Sequence, residues 1–145
     1  MSVYADSSAL VTLYADEPGR HELGHEQAIA VSALARVEVP SALWQKQRAG
    51  DLSPAHAAAL VADFEADYLG DPGGAPRFAV VAARADVLAR AARLCACHGL
   101  RAYDAVQLSS ALTAREAAPE CSTFAAYDEQ LRRAAAAEGF GLLTR

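Results

Sequence analysis

The chain has 145 residues, 53% of them hydrophobic and 21% charged, with a formal net charge of −5. That composition argues against intrinsic disorder, and a chain of this length buries roughly two-thirds of its unfolded surface around a single core. The acidic balance argues against a general polyanion-binding surface, although a carboxylate cluster that holds cations counts as negative only while empty.

Taken in chain order, Ser2–Ala5 reads as a strand, followed by a helix from about Ser8 to Ala15 that stops before Pro18-Gly19. Gly19 to about Ala28 reads as helix and Ile29–Ser32 as a short buried strand. The next helix runs from about Ala33 to Ala49 and is ended by Gly50. Ser53 caps a further helix, Ser53 to Leu69, with Pro54 in its first turn. Gly70 to Pro76 stacks several chain breakers and predicts the one long loop, too short to divide two domains. Phe78–Val81 is strand-like, and Arg84 to His98 is a helix closed by Gly99. Ala102 to Ala117 is helix, Ser122–Ala126 strand, Asp128 to Glu138 helix, and Leu142–Leu143 a last short strand. Strands alternating with helices predict one α/β domain over residues 1–145, a mostly parallel sheet with helices on both faces. In such sheets ligands gather at the carboxyl ends of the strands.

Three cysteines, Cys95, Cys97 and Cys121, are too few and too odd in number for a disulfide framework, and are expected to be reduced, packed thiols. No segment approaches the roughly 20 apolar residues of a bilayer span. The N-terminus lacks a basic region and meets Asp6 almost at once, so a signal peptide is not expected and a cytoplasmic location is. Twelve of the thirteen basic residues are Arg, which suits bidentate phosphate contacts.

Four acids fall where this architecture puts a site. Asp6 directly follows the first strand, and Asp128 follows the strand ending near Ala126-Tyr127. Either is equally well placed to cap the helix after it. Glu38 shares a helical stripe with Leu34 and Ala42, where a carboxylate is costly unless paired, by a cation or by a neighbour such as Arg36 or Lys46. Pro40 either kinks that helix or marks its start, which would put Glu38 on the first turn. Asp104 begins a helix and borders the stripe of Leu108 and Leu112. Like charges gathered at one sheet edge repel without a cation, and hard oxygen donors suit Mg²⁺ or Mn²⁺.

These residues carry a resemblance. Tyr4-Ala5-Asp6-Ser7-Ser8-Ala9-Leu10-Val11, with Leu13-Tyr14 and Glu17-Pro18-Gly19, resembles the opening of VapC-type toxins of the PIN-domain ribonuclease family. Arg36-Val37-Glu38-Val39, Arg101-Ala102-Tyr103-Asp104-Ala105 and Phe124-Ala125-Ala126-Tyr127-Asp128-Glu129-Gln130-Leu131 resemble the later blocks, in the expected order. The resemblance implies a Rossmann-like three-layer α/β/α sandwich and Mg²⁺- or Mn²⁺-dependent cleavage of single-stranded or looped RNA. By matching position it implies Asp6 and Asp104 as metal ligands, Glu38 completing the pocket or orienting water, and Asp128 assisting from outside or through a second metal. Ser8 matches a supporting hydroxyl. Arg36, Arg101, Arg132 and Arg133 are candidate phosphate contacts. A VapB-like antitoxin and a homodimer are the implied partners, with Leu43, Trp44, Leu60 and Phe64 as candidate apolar contact positions, although core packing is the expected role of most of them. Two positions depart from the family pattern: Ala126-Tyr127 stands where Thr is common before the last acid, and Gln107 where relatives often carry His.

Two rival readings remain. His21-Glu22-Leu23-Gly24-His25 matches H-E-x-x-H, a zinc-hydrolase arrangement, but Ala28 and Val31 stand where a third ligand would follow at the extended spacing. The other is a catalytically silent fold that binds RNA or protein, against which stands the intact set of four acids.

Overall fold

The computed structural model describes residues 2–16, 23–24 and 28–143. β1 (Ser2–Ala5) runs into α1 (Ser7–Val11), and β2 (Ala28–Ser32) into α2 (Ala35–Arg48) and α3 (Pro54–Leu69). β3 (Phe78–Val81) leads to α4 (Ala85–His98) and α5 (Ala102–Ala117), and β4 (Cys121–Ala125) to α6 (Glu129–Ala137) and β5 (Gly141–Leu142). The strands form one sheet in the order β3-β2-β1-β4-β5, every pair parallel. Val3 pairs with Ile29 of β2 and Thr123 of β4, which fixes the centre of the sheet.

Period-two alternation divides the core between the two faces. Val3, Ala5, Ile29 and Val31 pack with Leu10, Val39, Leu43 and Phe64 of α1, α2 and α3. Tyr4, Ala30 and Phe124 pack with Leu94, Leu108, Ala111 and Leu131 of α4, α5 and α6. The result is the three-layer α/β/α arrangement expected of the sequence. Small alanines on α5 and α6 bring those helices close to the sheet.

Some local expectations are corrected. α1 ends at Val11 rather than Ala15, because the Thr12 hydroxyl donates to the Ala9 carbonyl and the next residues close as turns. β4 and β5 each begin one residue earlier than read. Leu43 and Phe64 are wholly buried core residues and offer no contact surface, whereas Trp44 and Leu60 are half-buried. Cys97 is exposed, so only Cys121 is a buried thiol, with Cys95 partly covered. The helix expected over Gly19–Ala28 lies largely outside the described residues; of those described, Leu23 and Gly24 are not helical and Ala28 belongs to β2. Among the described residues no helix is long and apolar enough to cross a membrane.

β1 is the strand from which the sheet grows in opposite directions, to β2 on one side and β4 on the other. A parallel sheet opens a crevice beyond the carboxyl ends of strands flanking such a switch point. Asp6 directly follows β1, and Asp128 lies three residues beyond the end of β4.

Candidate active site

A cleft of about 370 Å³ opens there, lined by Asp6, Ser7, Ser8, Glu38, Arg101, Asp104, Gln107, Tyr127 and Asp128. The fold therefore brings all four acids, distant in sequence, to one cavity.

Asp6 is both a helix cap and a cleft residue. Its Oδ1 accepts from the Ala9 backbone N–H at 2.9 Å and the Ser8 hydroxyl at 2.7 Å. Its own N–H donates to the Ala125 carbonyl at 3.0 Å, which ties it to the end of β4. The residue is only 6% exposed, and among the described residues no donor meets Oδ2. Burial raises its pKa from 3.8 to about 7 against the pull of the Ala9 and Ser8 donors, with Asp104 and Glu38 adding like-charge repulsion. A buried carboxylate with one unsatisfied oxygen is an expensive arrangement unless a proton or cation completes it.

Asp128 repeats the device more openly, its Oδ1 accepting from the Leu131 N–H at 2.9 Å. Its Oδ2 lies 3.8 Å from Arg101 Nη2, while Arg101 Nε lies 3.5 Å from Asp104 Oδ2. Burial pushes the Asp104 carboxyl upward, Arg101 draws it back, and Asp128 raises it again. The Arg101 side chain is 79% exposed, so these are long, solvent-screened pairs that supply only part of the missing positive charge.

Glu38 lies in the first turn of α2, since that helix begins at Ala35 and carries Pro40 within it. Its Oε1 accepts from Ser7 Oγ at 3.0 Å and Gln107 Nε2 at 2.8 Å. Arg36 pairs instead with Glu65 of α3 at 2.9 Å. Gln107 is held from behind, because the Tyr4 hydroxyl donates to its Oε1 at 2.6 Å and Nε2 also reaches Ser7 Oγ at 3.2 Å. Tyr4 is fully buried, which keeps its hydroxyl protonated and its pKa well above the usual phenol value. A protonated phenol fixes the Gln107 amide with its NH₂ toward Glu38, leaving Glu38 an acceptor.

Sequence reasoning did not place Tyr4 or Ser7 in the site, and treated Gln107 only as a departure from pattern. Two signals were available. Tyr4 alternates with Val3 and Ala5, so it lies on the opposite face of the sheet from them, and Gln107 stands one turn after Asp104 on the same helix. Of the four candidate phosphate-binding arginines, Arg101 alone lines the cleft. Arg132 turns inward to donate to the Ala126 and Leu143 carbonyls, and Arg133 is exposed on α6. His21, Glu22 and His25 lie outside the described residues.

No protein-family model matches this chain, and no curated protein matches it.

The donor set suits a hard cation: carboxylates, hydroxyls and a side-chain amide, with no thiol or imidazole among the cleft residues. Among the described residues no three acidic, His or Cys side chains already stand close enough to chelate a metal.

Proposed function

We propose that this protein is a Mg²⁺- or Mn²⁺-dependent endoribonuclease of the VapC-type, PIN-domain kind, the toxin half of a toxin–antitoxin pair. The observation that carries the reading is Asp6: a carboxylate buried at the switch point of a parallel sheet, with one oxygen lacking a donor among the described residues, in a cleft shared with Glu38, Asp104 and Asp128. In this reading Asp6 and Asp104 hold the metal. When bound, it makes water a stronger nucleophile at neutral pH and offsets charge on the scissile phosphate.

The chain's own residues do the rest. Glu38, held by Ser7 and Gln107, orients the attacking water by accepting its hydrogen bond. Ser8 fixes the Asp6 carboxylate through Oδ1, leaving Oδ2 toward the cleft. Asp128 lies 3.8 Å from Arg101 across the opening and biases its guanidinium toward the cleft, where an incoming phosphate would meet it. A VapB-like antitoxin, a homodimeric state and a cytoplasmic location belong to the same proposal. They are supported by the motif resemblance.

Total bacterial RNA, incubated with wild type or Asp6→Asn in Mn²⁺, Mg²⁺ or chelator and mapped at its 5′ ends, tests the reading. Wild type is expected to give discrete, metal-dependent cuts. Asp6→Asn should lose them by more than the ~100-fold typical of losing an outer partner of a metal ligand. Cuts that persist in chelator, or equal cutting by Asp6→Asn, would overturn it.

A further inference from the structure

Beside the acidic cleft lies a second concavity that the catalytic reading does not use. It measures about 420 Å³ and is lined by Leu34, Val37, Glu38, Ser41, Ala42 and Gln45 of α2 and its approach, facing Tyr103 of α5. Glu38 lines both cavities, so they lie side by side. Tyr103 is 67% exposed and Val37 70% exposed. Scattered exposed apolar side chains are ordinary, but here an aromatic and an aliphatic one line the same concavity beside the cleft.

The fold gives neither residue a task. Among the described residues five large hydrophobics are exposed, and two of them flank this groove. The other three, Leu69, Val80 and Leu88, sit on α3, β3 and α4, so they do not extend the patch into one face. A stable protein interface needs roughly 800 Å² from each partner, more than one aromatic ring and one isopropyl group supply. A single planar ring needs far less, and the cavity falls within the roughly 300–1,000 Å³ of small-ligand pockets. Arg101, two residues before Tyr103, stands in the cleft where a phosphate would bind. Arg101 and Tyr103 both stand at the start of α5, so the acidic cleft and the groove meet at that end of the helix.

We propose that this groove is a nucleobase subsite, in which Tyr103 stacks on an unpaired base and Val37 closes the opposite side. Ser41 and Gln45 give it hydrogen-bonding groups for the base edge. The proposal rests on the ribonuclease reading for the identity of the neighbouring phosphate, and it requires the base in the groove to be unpaired, since only an unpaired base presents its face.

The test is fluorescence anisotropy with labelled oligouridine and oligoadenine strands of about 12 nucleotides, a length typical of single-strand sites, and an abasic strand of equal length. Binding is read in an Asp6→Asn background so that the RNA survives, and cleavage in the wild-type background. Tyr103→Ala is expected to weaken both base-bearing strands about tenfold, Tyr103→Phe to stay within about twofold, and the abasic strand to ignore Tyr103. Equal affinity with and without Tyr103, equal weakening of the abasic strand, or no binding of the base-bearing strands by the parent protein would each overturn the subsite. So would a change from dimer to monomer in Tyr103→Ala with RNA binding unaltered, which would make the groove a face between copies. Failure of the two ideas is separable. Wild-type cleavage retained at full rate in Tyr103→Ala removes the subsite and leaves the ribonuclease. Tyr103-dependent base binding by a protein that cuts nothing removes the ribonuclease and leaves the subsite.

Discussion

Tyr4 and Gln107 show how a residue far from any substrate governs a carboxylate. The phenol donates to Gln107 Oε1, and this settles which end of the amide faces Glu38. Tyr4→Phe removes the donor and leaves a buried carbonyl oxygen short of a partner, at a cost of about 1–3 kcal/mol. Gln107→Leu costs a similar amount by stripping Glu38 and the phenol of one neighbour each. The two changes break one shared contact, so the double variant should be destabilised by about 1 kcal/mol less than the sum of the singles. Urea unfolding of the four proteins measures this. Strict additivity would mean that the hydrogen bond contributes nothing to holding the network.

At the scale of elements, most of the fold was legible because the punctuation was strong. Ser53 caps α3 by accepting from the His56 N–H, with Pro54 first in the helix. α5 has the bounds that its pattern predicts, and Gly99 ends α4 in the left-handed conformation, at φ +65°. A side chain there incurs about 1–2 kcal/mol of left-handed strain. Gly99→Ala should therefore lower thermal stability by about that much and Gly99→Asn by less, as thermal unfolding would record. Equal stability of all three would show that the turn relaxes. What the sequence concealed was set by competition and by tertiary contacts. The Thr12 hydroxyl competes for a helical carbonyl and shortens α1, which periodicity does not report. Leu43 and Phe64 were open to either a contact or a core role, and the packing of α2 and α3 on the sheet gives them the core role favoured for most of that set. The four acids could be named from position and motif, but the link from Tyr4 through Gln107 to Glu38 spans more than a hundred residues and exists only once β1 lies under α5.

For the whole molecule, the acidic cleft makes stability depend on pH and on cations. Asp6 titrates near 7 in the folded chain against 3.8 in the ordinary carboxyl, so between those values the folded state binds the extra proton. Its contribution is fully present below about pH 4 and is lost as pH rises through about 7. Burial moves Asp104 in the same direction. A tenfold change in proton affinity is worth about 1.4 kcal/mol, so ionising Asp6 without a cation costs at most on the order of 4 kcal/mol. Other carboxylates change stability over the same range, which makes the difference between wild type and Asp6→Asn the informative quantity. In chelator, Asp6→Asn should gain on wild type as pH is raised from about 5 to 8, by several degrees in Tm at about 3 °C per kcal/mol. A cation must displace that proton, so Mn²⁺ should raise the wild-type Tm more at pH 8 than at pH 6, reaching about 2.7 kcal/mol of stabilisation at a hundred times its Kd. Asp104→Asn should blunt the Mn²⁺ response while keeping most of the slope in chelator, because that slope belongs chiefly to Asp6. Parallel pH curves for wild type and Asp6→Asn would show that Asp6 is not the strained carboxylate. A full Mn²⁺ response in Asp104→Asn would take Asp104 out of the cation site and leave Asp6 to find its partners among Glu38 and Asp128.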